Sequence, residues 1–315
     1  MTRIPRTILA LALAAAPSFA ESSPLEGEPF RPAAPVFWAA PTNDLPTTLM
    51  VYKVVPQQFS KEVMSNILAI TSFKPRALKL SPDKKTMHWE DNRGGAMRRR
   101  LTISPALGWI DYLDTKAVEI STNAAKGVPS FEEVERLALE YCRRLGGDTN
   151  QLAMHPTSRT YNHRTLFNKK GGDMILEDVT ARGIMVTRQV DGIRFAGSSG
   201  RGGLYIEFAN QSKLHALTMN WRNLQPHQRH KTANPNAIVA WVAAGKAVEP
   251  NPAEDASQAR KLTITKITPY YLGEVGGAPQ DLVLPFAQLE VVADLEGTNK
   301  ATLVLHCPII DAKPN

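Results

Sequence analysis

The chain has 315 residues, of which 43% are hydrophobic and 21% are charged, and its formal net charge is +7 at pH 7. These values are ordinary for a globular protein and exclude an intrinsically disordered chain. The length suits two or three compact units, and since no segment approaches about 18 consecutive apolar residues, we expect no transmembrane anchor.

Residues 1–20 have the layout of a secretory signal peptide. Arg3 and Arg6 precede the apolar run 8–16, and small residues occupy the cleavage positions up to Ala20. We therefore expect cleavage near Ala20 and a mature protein that is secreted or periplasmic. Loss of the two arginines lowers the net charge from +7 to +5.

Residues 21–46 carry six prolines, which predicts an extended, proline-rich leader. Residues 47–128 form the first predicted unit. It opens with a β-branched and aromatic strand at 47–55, and Ser60 is typical of the N-cap of a helix. Short strand patterns follow as far as Tyr112.

Positive charge is concentrated in residues 74–100, where nine basic residues face three acidic ones and the segment ends in Arg98, Arg99 and Arg100. One interpretation is a solvated face of a sheet. The other is a patch that attracts a polyanion. Because export separates the protein from nucleic acid, we expect no nucleic-acid partner, and the polyanion is then an acidic envelope polymer or an anionic membrane surface.

The second predicted unit, residues 129–232, begins with the clearest helix of the chain, 131–145. Ser130 and Glu133 have the spacing of a capping box, and Gly146 is typical of a helix end. We expect the apolar stripe of this helix to be buried against alternating strand residues. The helix positions are Val134, Leu137, Ala138, Tyr141 and Leu145, and the strand positions include Leu204, Ile206 and Phe208.

Residues 233–315 either form a third unit or continue the second. Asn234 and Pro235 predict the start of a helix at 237–244. A strand that contains Pro285 cannot donate every ladder hydrogen bond, so we expect it at a sheet edge or beside a bulge, where a peptide strand can add. The other strand patterns lie at 261–272, 281–293 and 301–309.

These elements predict an α+β fold of two or three units, each with one helix packed on an antiparallel β-sheet. The element order does not alternate between strand and helix, so a doubly wound parallel sheet is disfavoured. Arg-Gly-Gly occurs at 93–95 and again at 201–203, before strand patterns of similar form, which favours an internal duplication.

Cys142 and Cys307 are the two cysteines. An exported protein can form a disulfide between them. Alternatively both are small buried hydrophobic residues, because Cys142 borders the apolar stripe of a predicted helix and Cys307 shares strand parity with Leu303 and Leu305.

No arrangement of acid, base and nucleophile emerges from the motifs. Gly197-Ser198-Ser199-Gly200 lacks the spacing of an esterase elbow, and His227 and His230 lie in a predicted polar loop without a neighbouring glutamate. Glu132 and Glu133 lie in the first turn of a helix, where negative charge is stabilising. We therefore predict no catalytic, metal-binding or cofactor-binding residues.

Large aromatic residues on predicted strands are the remaining candidates for a site. They form either a ligand platform or cross-strand pairs in a core. With the adjacent arginines, the candidate ligand surface comprises Trp109, Trp221, Tyr270, Tyr271, Arg98 and Arg100.

The segment Tyr270-Tyr271-Leu272-Gly273, followed by Leu284-Pro285-Phe286, resembles the closing hairpin of PepSY-like modules. Residues 190–193, 204–208 and 213–221 are similar to the middle of such modules and of extracytoplasmic regulators of cell-wall sensor kinases. The resemblance covers about residues 130–309 and implies a PepSY-like or cystatin-like fold with a binding or inhibitory role. The chain departs from the pattern in having no anchoring helix, no linked peptidase domain and an insert at 155–173.

We therefore expect an exported, non-enzymatic binding or regulatory protein that engages a peptide, a protein or an envelope polymer. The alternative is a secreted hydrolase whose site comes from residues far apart in sequence. A closed cleft with converging polar residues would favour the hydrolase, whereas an open sheet edge or aromatic groove would favour the binding protein.

Overall fold

The computed structural model describes most of the chain after the predicted signal peptide, which lies outside the described residues. The described ranges are 28–55, 59–74, 79–81, 85–93, 96–118, 127–153, 156, 158–167, 174–197, 202–250, 259–274, 281–296 and 299–310.

Within these ranges the chain forms three α-helices and nineteen strands. The helices are α1 (Lys61–Thr71), α2 (Phe131–Arg144) and α3 (Pro235–Ala243). The strands are β1 (Glu28–Pro29), β2 (Val36–Trp38), β3 (Thr48–Val55), β4 (Lys79–Leu80), β5 (Met87–Arg93), β6 (Ala96–Ser104), β7 (Trp109–Asp114), β8 (Ser158–Phe167), β9 (Met174–Thr187), β10 (Gln189–Val190), β11 (Ile193–Gly197), β12 (Gly203–Ala209), β13 (Leu214–Asn220), β14 (Asn223–Lys231), β15 (Val248–Glu249), β16 (Lys261–Glu274), β17 (Leu282–Val283), β18 (Pro285–Asp294) and β19 (Lys300–Pro308).

The helices begin where the sequence predicts, because each has a side-chain cap. Ser60 Oγ accepts a hydrogen bond from the Val63 N–H, and Asn234 Oδ1 accepts one from Ala237. In α2, Ser130 Oγ accepts from the Glu133 N–H at 3.3 Å. The Glu133 carboxylate accepts hydrogen bonds from Arg136 instead of from the Ser130 N–H. Only the Ser130 half of the predicted capping box therefore forms.

One lobe of the protein, which we call the first lobe, is an antiparallel sheet of eight described strands in the order β4-β5-β6-β7-β13-β12-β9-β8. Helices α1 and α2 cover one face of this sheet. Val134 and Ala138 of α2 are buried in one hydrophobic core with Leu204 and Phe208, as predicted, and Leu137 is half-buried at its margin.

The second lobe contains two sheets. Its mixed sheet has the order β1-β15-β19-β18-β16-β11-β10, and β2 pairs with β16 beyond that path. Its smaller sheet has the order β14-β3-β17. Both contribute to a second hydrophobic core, and α3 packs into it through Ile238 and Val242.

The predicted α+β fold is wrong: the described structure is mostly β, and it is not built from units of one helix on one sheet. Helices α1 and α2 share one sheet, in which β7 from the first predicted unit pairs with β13 from the second. Strand β3 instead joins the second lobe by pairing with β14. The pattern of a strand predicts which of its faces is buried. It does not predict which distant strand will pair with it, because any strand with a similar apolar face could contribute to the same core.

Two local predictions also fail. Pro285 lies in a central strand, between β16 and β19, and is tolerated because it is the first residue of β18. The segment with His227 and His230, predicted as a loop, is strand β14. Residues 158–167, within the segment by which the chain departs from the PepSY-like pattern, form strand β8.

Cys142 and Cys307 are both free and buried, and they belong to different hydrophobic cores. The proposed disulfide is therefore absent, and the alternative, two small buried hydrophobic residues, is confirmed. Burial raises the pKa of each thiol to about 12.

Arg188 lies where the two lobes meet. Its guanidinium donates to Gln151 Oε1 at 2.7 and 2.9 Å and to the Arg222 carbonyl at 2.6 Å. The rings of Phe195 and Trp221 contribute to different cores, and both lie near this guanidinium. One buried cation therefore bridges the lobes.

None of the described helices is long and apolar enough to cross a membrane.

Candidate functional site

A polar cleft opens in the first lobe beyond the C-terminal end of α1. It has a volume of about 310 Å³. Its lining residues, which define the polar cleft below, are Ile70, Ser72, Asp91, Arg99, Tyr112, Asp114, Lys116, Lys213 and Leu214.

Strand register brings the central charges of the cleft together. Asp91 of β5 pairs with Arg99 of β6, and Arg99 pairs with Asp114 of β7. Opposite charges on adjacent strands stabilise a sheet when their side chains share a face. The sheet therefore presents a carboxylate, a guanidinium and a second carboxylate in one row.

Arg99 is held in a fixed position. One of its terminal nitrogens lies 3.1 Å from Asp91 Oδ2, and the other donates to the Thr71 carbonyl at 3.4 Å. The guanidinium carbon lies 4.9 Å from the centre of the Phe73 ring, a cation–π distance. The end of α1 thus anchors the main cation of the cleft.

Asp114 is a buried carboxylate, 3% exposed, and its oxygens are occupied. Oδ1 accepts a hydrogen bond from the Lys116 N–H at 3.0 Å, and Oδ2 lies 3.3 Å from Lys213 Nζ. The Asp114 carbonyl oxygen lies 2.7 Å from His215 Nδ1. These contacts fix the turn after β7 and the segment before β13 around one carboxylate.

Tyr112 lies at the base of the cleft and is buried. Burial, together with the negative charge of Asp114, raises the pKa of its hydroxyl well above the ordinary value. The phenol therefore stays protonated at neutral pH, as a hydrogen-bonding group rather than a nucleophile.

The cleft is lined mainly by charged side chains. It carries three cations and two carboxylates, and each carboxylate has an ion-pair partner inside the cleft. Ser72, the remaining hydroxyl, caps α1 with a left-handed backbone, and within the described part of the chain neither a histidine nor a carboxylate is bonded to it. No activated nucleophile is thus present among the described lining residues.

The residues of the predicted ligand surface are not brought together. Trp109 begins β7 and is half-buried, and Arg100 lies 3.3 Å from Asp111. Arg98 is the extra residue of a bulge between β5 and β6. Sequence reasoning selected Arg98 and Arg100 but missed Arg99, which has the parity of the core residues Leu101 and Ile103 and therefore faces the helices.

The other three aromatic candidates are buried. They therefore pack inside the protein rather than form a ligand platform on its surface. Trp221 packs in the first lobe. Tyr271 is fully buried in the second lobe, with its ring 5.4 Å from that of Tyr52. Tyr270 stacks on Phe286 and shares a hydrogen bond with His306 in a small separate cluster.

A second cavity lies at the lobe junction, beside Arg188, Asn220 and Arg222. Its volume of about 10 Å³ is the space that one water molecule needs. It is therefore too small for a ligand. In the described ranges, no three His, Cys, Asp or Glu side chains are grouped as metal ligands.

No protein-family model matches the chain, and no curated protein matches it. A crystal structure of an uncharacterized protein from Eubacterium rectale ATCC 33656 is similar, with a TM-score of 0.45 and 11% sequence identity. The similarity covers 87% of this chain and 86% of that one.

Proposed function

We propose that this is an exported, non-enzymatic binding or regulatory protein that engages a peptide, a protein or an envelope polymer through the polar cleft. The observation that carries this proposal is the charge arrangement of the cleft. Its guanidinium and its buried carboxylate are both held by neighbouring groups, so the site is organised before any ligand arrives.

The hydrolase alternative has less support. A hydrolytic carboxylate must be free to take or give a proton, whereas Asp91 and Asp114 are both engaged by cations. The phenol of Tyr112 is protonated at neutral pH.

Export rests on the pattern of residues 1–20 and has its own test. The intact mass of protein recovered from outside the cytoplasm should equal that of a chain beginning near Glu21. A soluble exported protein that retains Met1 would contradict this part of the proposal.

The binding role is tested by capture from an envelope extract of the native organism, with the exported chain as bait. We expect the double variant Lys116→Glu/Lys213→Gln to lose the captured ligand. Lys300→Gln, the control, removes a similarly exposed lysine near Asp294 in the second lobe and should capture normally. Equal capture by the double variant would refute the cleft as the site, and progressive cleavage of the captured ligand would favour a hydrolase.

A further inference from the structure

The polar cleft has one positive charge that its own carboxylates do not balance. Arg99 is paired with Asp91, and Lys213 is paired with Asp114. Lys116 gives only its backbone N–H to Asp114, and the described residues provide no carboxylate for its ammonium group. Among the described residues, an anionic group that enters the cleft therefore meets a cation that is not paired with a carboxylate.

Lys213 can bind a ligand without leaving Asp114. An ammonium group has three N–H donors, and the contact with Asp114 Oδ2 uses one of them. The side chain of Lys213 is 52% exposed, whereas that of Asp114 is 5% exposed. The lysine thus extends from a buried anchor toward solvent, in the position of a donor to an incoming group.

The cleft also has an apolar wall. Ile70, at the end of α1, and Leu214, at the start of β13, line it together with Tyr112. Small-ligand sites combine such surfaces with a few fixed polar groups, and a volume of about 310 Å³ is near the lower end of their range. The space suits one or two side chains of a peptide.

We propose that the cleft binds an acidic peptide segment, in which a carboxylate contacts Lys116 and Lys213 and an adjacent apolar side chain packs on Ile70 and Leu214. Asp114 acts as a positioning residue, because it holds both lysines in place. This inference rests on the proposed function and names the ligand class of the same site.

The test is calorimetric titration of the exported chain with two blocked pentapeptides, Glu-Glu-Leu-Glu-Glu and Gln-Gln-Leu-Gln-Gln. We expect the glutamate peptide to bind at least tenfold more tightly than the glutamine peptide, and the difference to shrink as salt is raised. Lys116→Ala should weaken glutamate-peptide binding by about tenfold, whereas Lys300→Ala should leave it unchanged. Thermal melting of each variant verifies that it is folded.

Four outcomes overturn the inference. Equal affinity for the two peptides would exclude recognition by charge, and unchanged binding in Lys116→Ala would place the peptide elsewhere. Competition by inorganic phosphate at lower concentration than by acetate would assign the site to phosphate rather than carboxylate groups. If neither peptide binds while Lys116→Glu/Lys213→Gln still abolishes capture from the extract, the ligand class is wrong but the proposed function stands.

Discussion

The guanidinium carbon of Arg188 lies 4.7 Å from the centre of the Trp221 ring and 5.1 Å from that of Phe195. The two rings belong to the cores of different lobes. Burial lowers the pKa of Arg188 to about 10, so the side chain is still charged at neutral pH. The lobes are therefore joined through a cation that is 4% exposed.

We expect Arg188→Met to destabilise the protein by about 2–4 kcal/mol, because it leaves the Gln151 and Arg222 carbonyl oxygens without their donor. Urea unfolding measures the change. The control is Arg260→Met, which removes an arginine that is 66% exposed and paired with Glu296; its effect should stay below about 1 kcal/mol. Similar losses in both variants would show that Arg188 does not stabilise the junction.

Gly108 should not tolerate a side chain. Its φ is +59°, and a Cβ atom would lie 2.4 Å from the Trp221 carbonyl oxygen. Gly192 has a φ of +76° but open space around it. In thermal or urea unfolding we expect Gly108→Ala to cost about 3 kcal/mol or more and Gly192→Ala about 1 kcal/mol. Equal losses of unfolding free energy in the two variants would show that the close contact with the Trp221 backbone is not the cause.

Two adjacent positions on α2 test which face of the helix is buried. Ala138 is 1% exposed, and Leu139 is 40% exposed. Ala138→Asp places a carboxylate in the core and should lower the unfolding free energy by several kcal/mol, whereas Leu139→Asp should change it by less than about 1 kcal/mol. Circular dichroism during denaturation distinguishes them, and the reverse order would contradict the helix orientation.

Both thiols should be present and unreactive in the native protein. Burial keeps Cys142 and Cys307 protonated, and a neutral buried thiol is a poor nucleophile. A thiol-specific reagent at pH 8 should therefore label neither cysteine in buffer and both in urea. Non-reducing mass spectrometry that shows the loss of two protons would instead establish the disulfide.

The stability of the second lobe should fall in mild acid. Burial lowers the pKa of His306, so the unfolded chain takes up a proton near pH 6.5 that the folded chain resists. The unfolded state then binds more protons, and the unfolding free energy decreases as the pH falls below about 6.5.

Urea titrations between pH 7.5 and 5 measure this change. His306→Gln should flatten the dependence, whereas His227→Gln on the exposed strand β14 should retain it. If the unfolding free energy of His306→Gln depends on pH as steeply as that of the wild type, the acid sensitivity comes from other groups.

The starts of the helices could be predicted from the sequence because they depend on neighbouring residues. Ser60, Ser130 and Asn234 each cap a helix through an N–H three residues later. The turn at Asp191-Gly192 is local in the same way: both residues have positive φ, and Asp-Gly is a typical sequence for a two-residue hairpin turn of this kind.

The fold class and the site could not be obtained in this way. Strand β3 ends at Val55, which pairs with Asn223 at the start of β14, 168 positions later. No local sequence pattern indicates which distant strand β3 will pair with. The polar cleft depends on β5, β6 and β7 together with Lys213, which reaches it from beyond β12. The sequence alone indicates only that Arg99 lies on the same face of its strand as Leu101. It does not indicate which residues of other elements face Arg99 across the cleft.

The chain path has a consequence for the order in which the two lobes can fold as the chain emerges from its N-terminus. Residues 48–55 emerge early, yet they complete their sheet only with residues 223–231 and 282–283. A chain that emerges from its N-terminus must therefore keep β3 unpaired until residues 223–231 have followed it. Exposed strands of this kind aggregate readily. The second lobe consequently cannot form vectorially, and the first lobe, whose strands lie between residues 79 and 220, is able to finish before it.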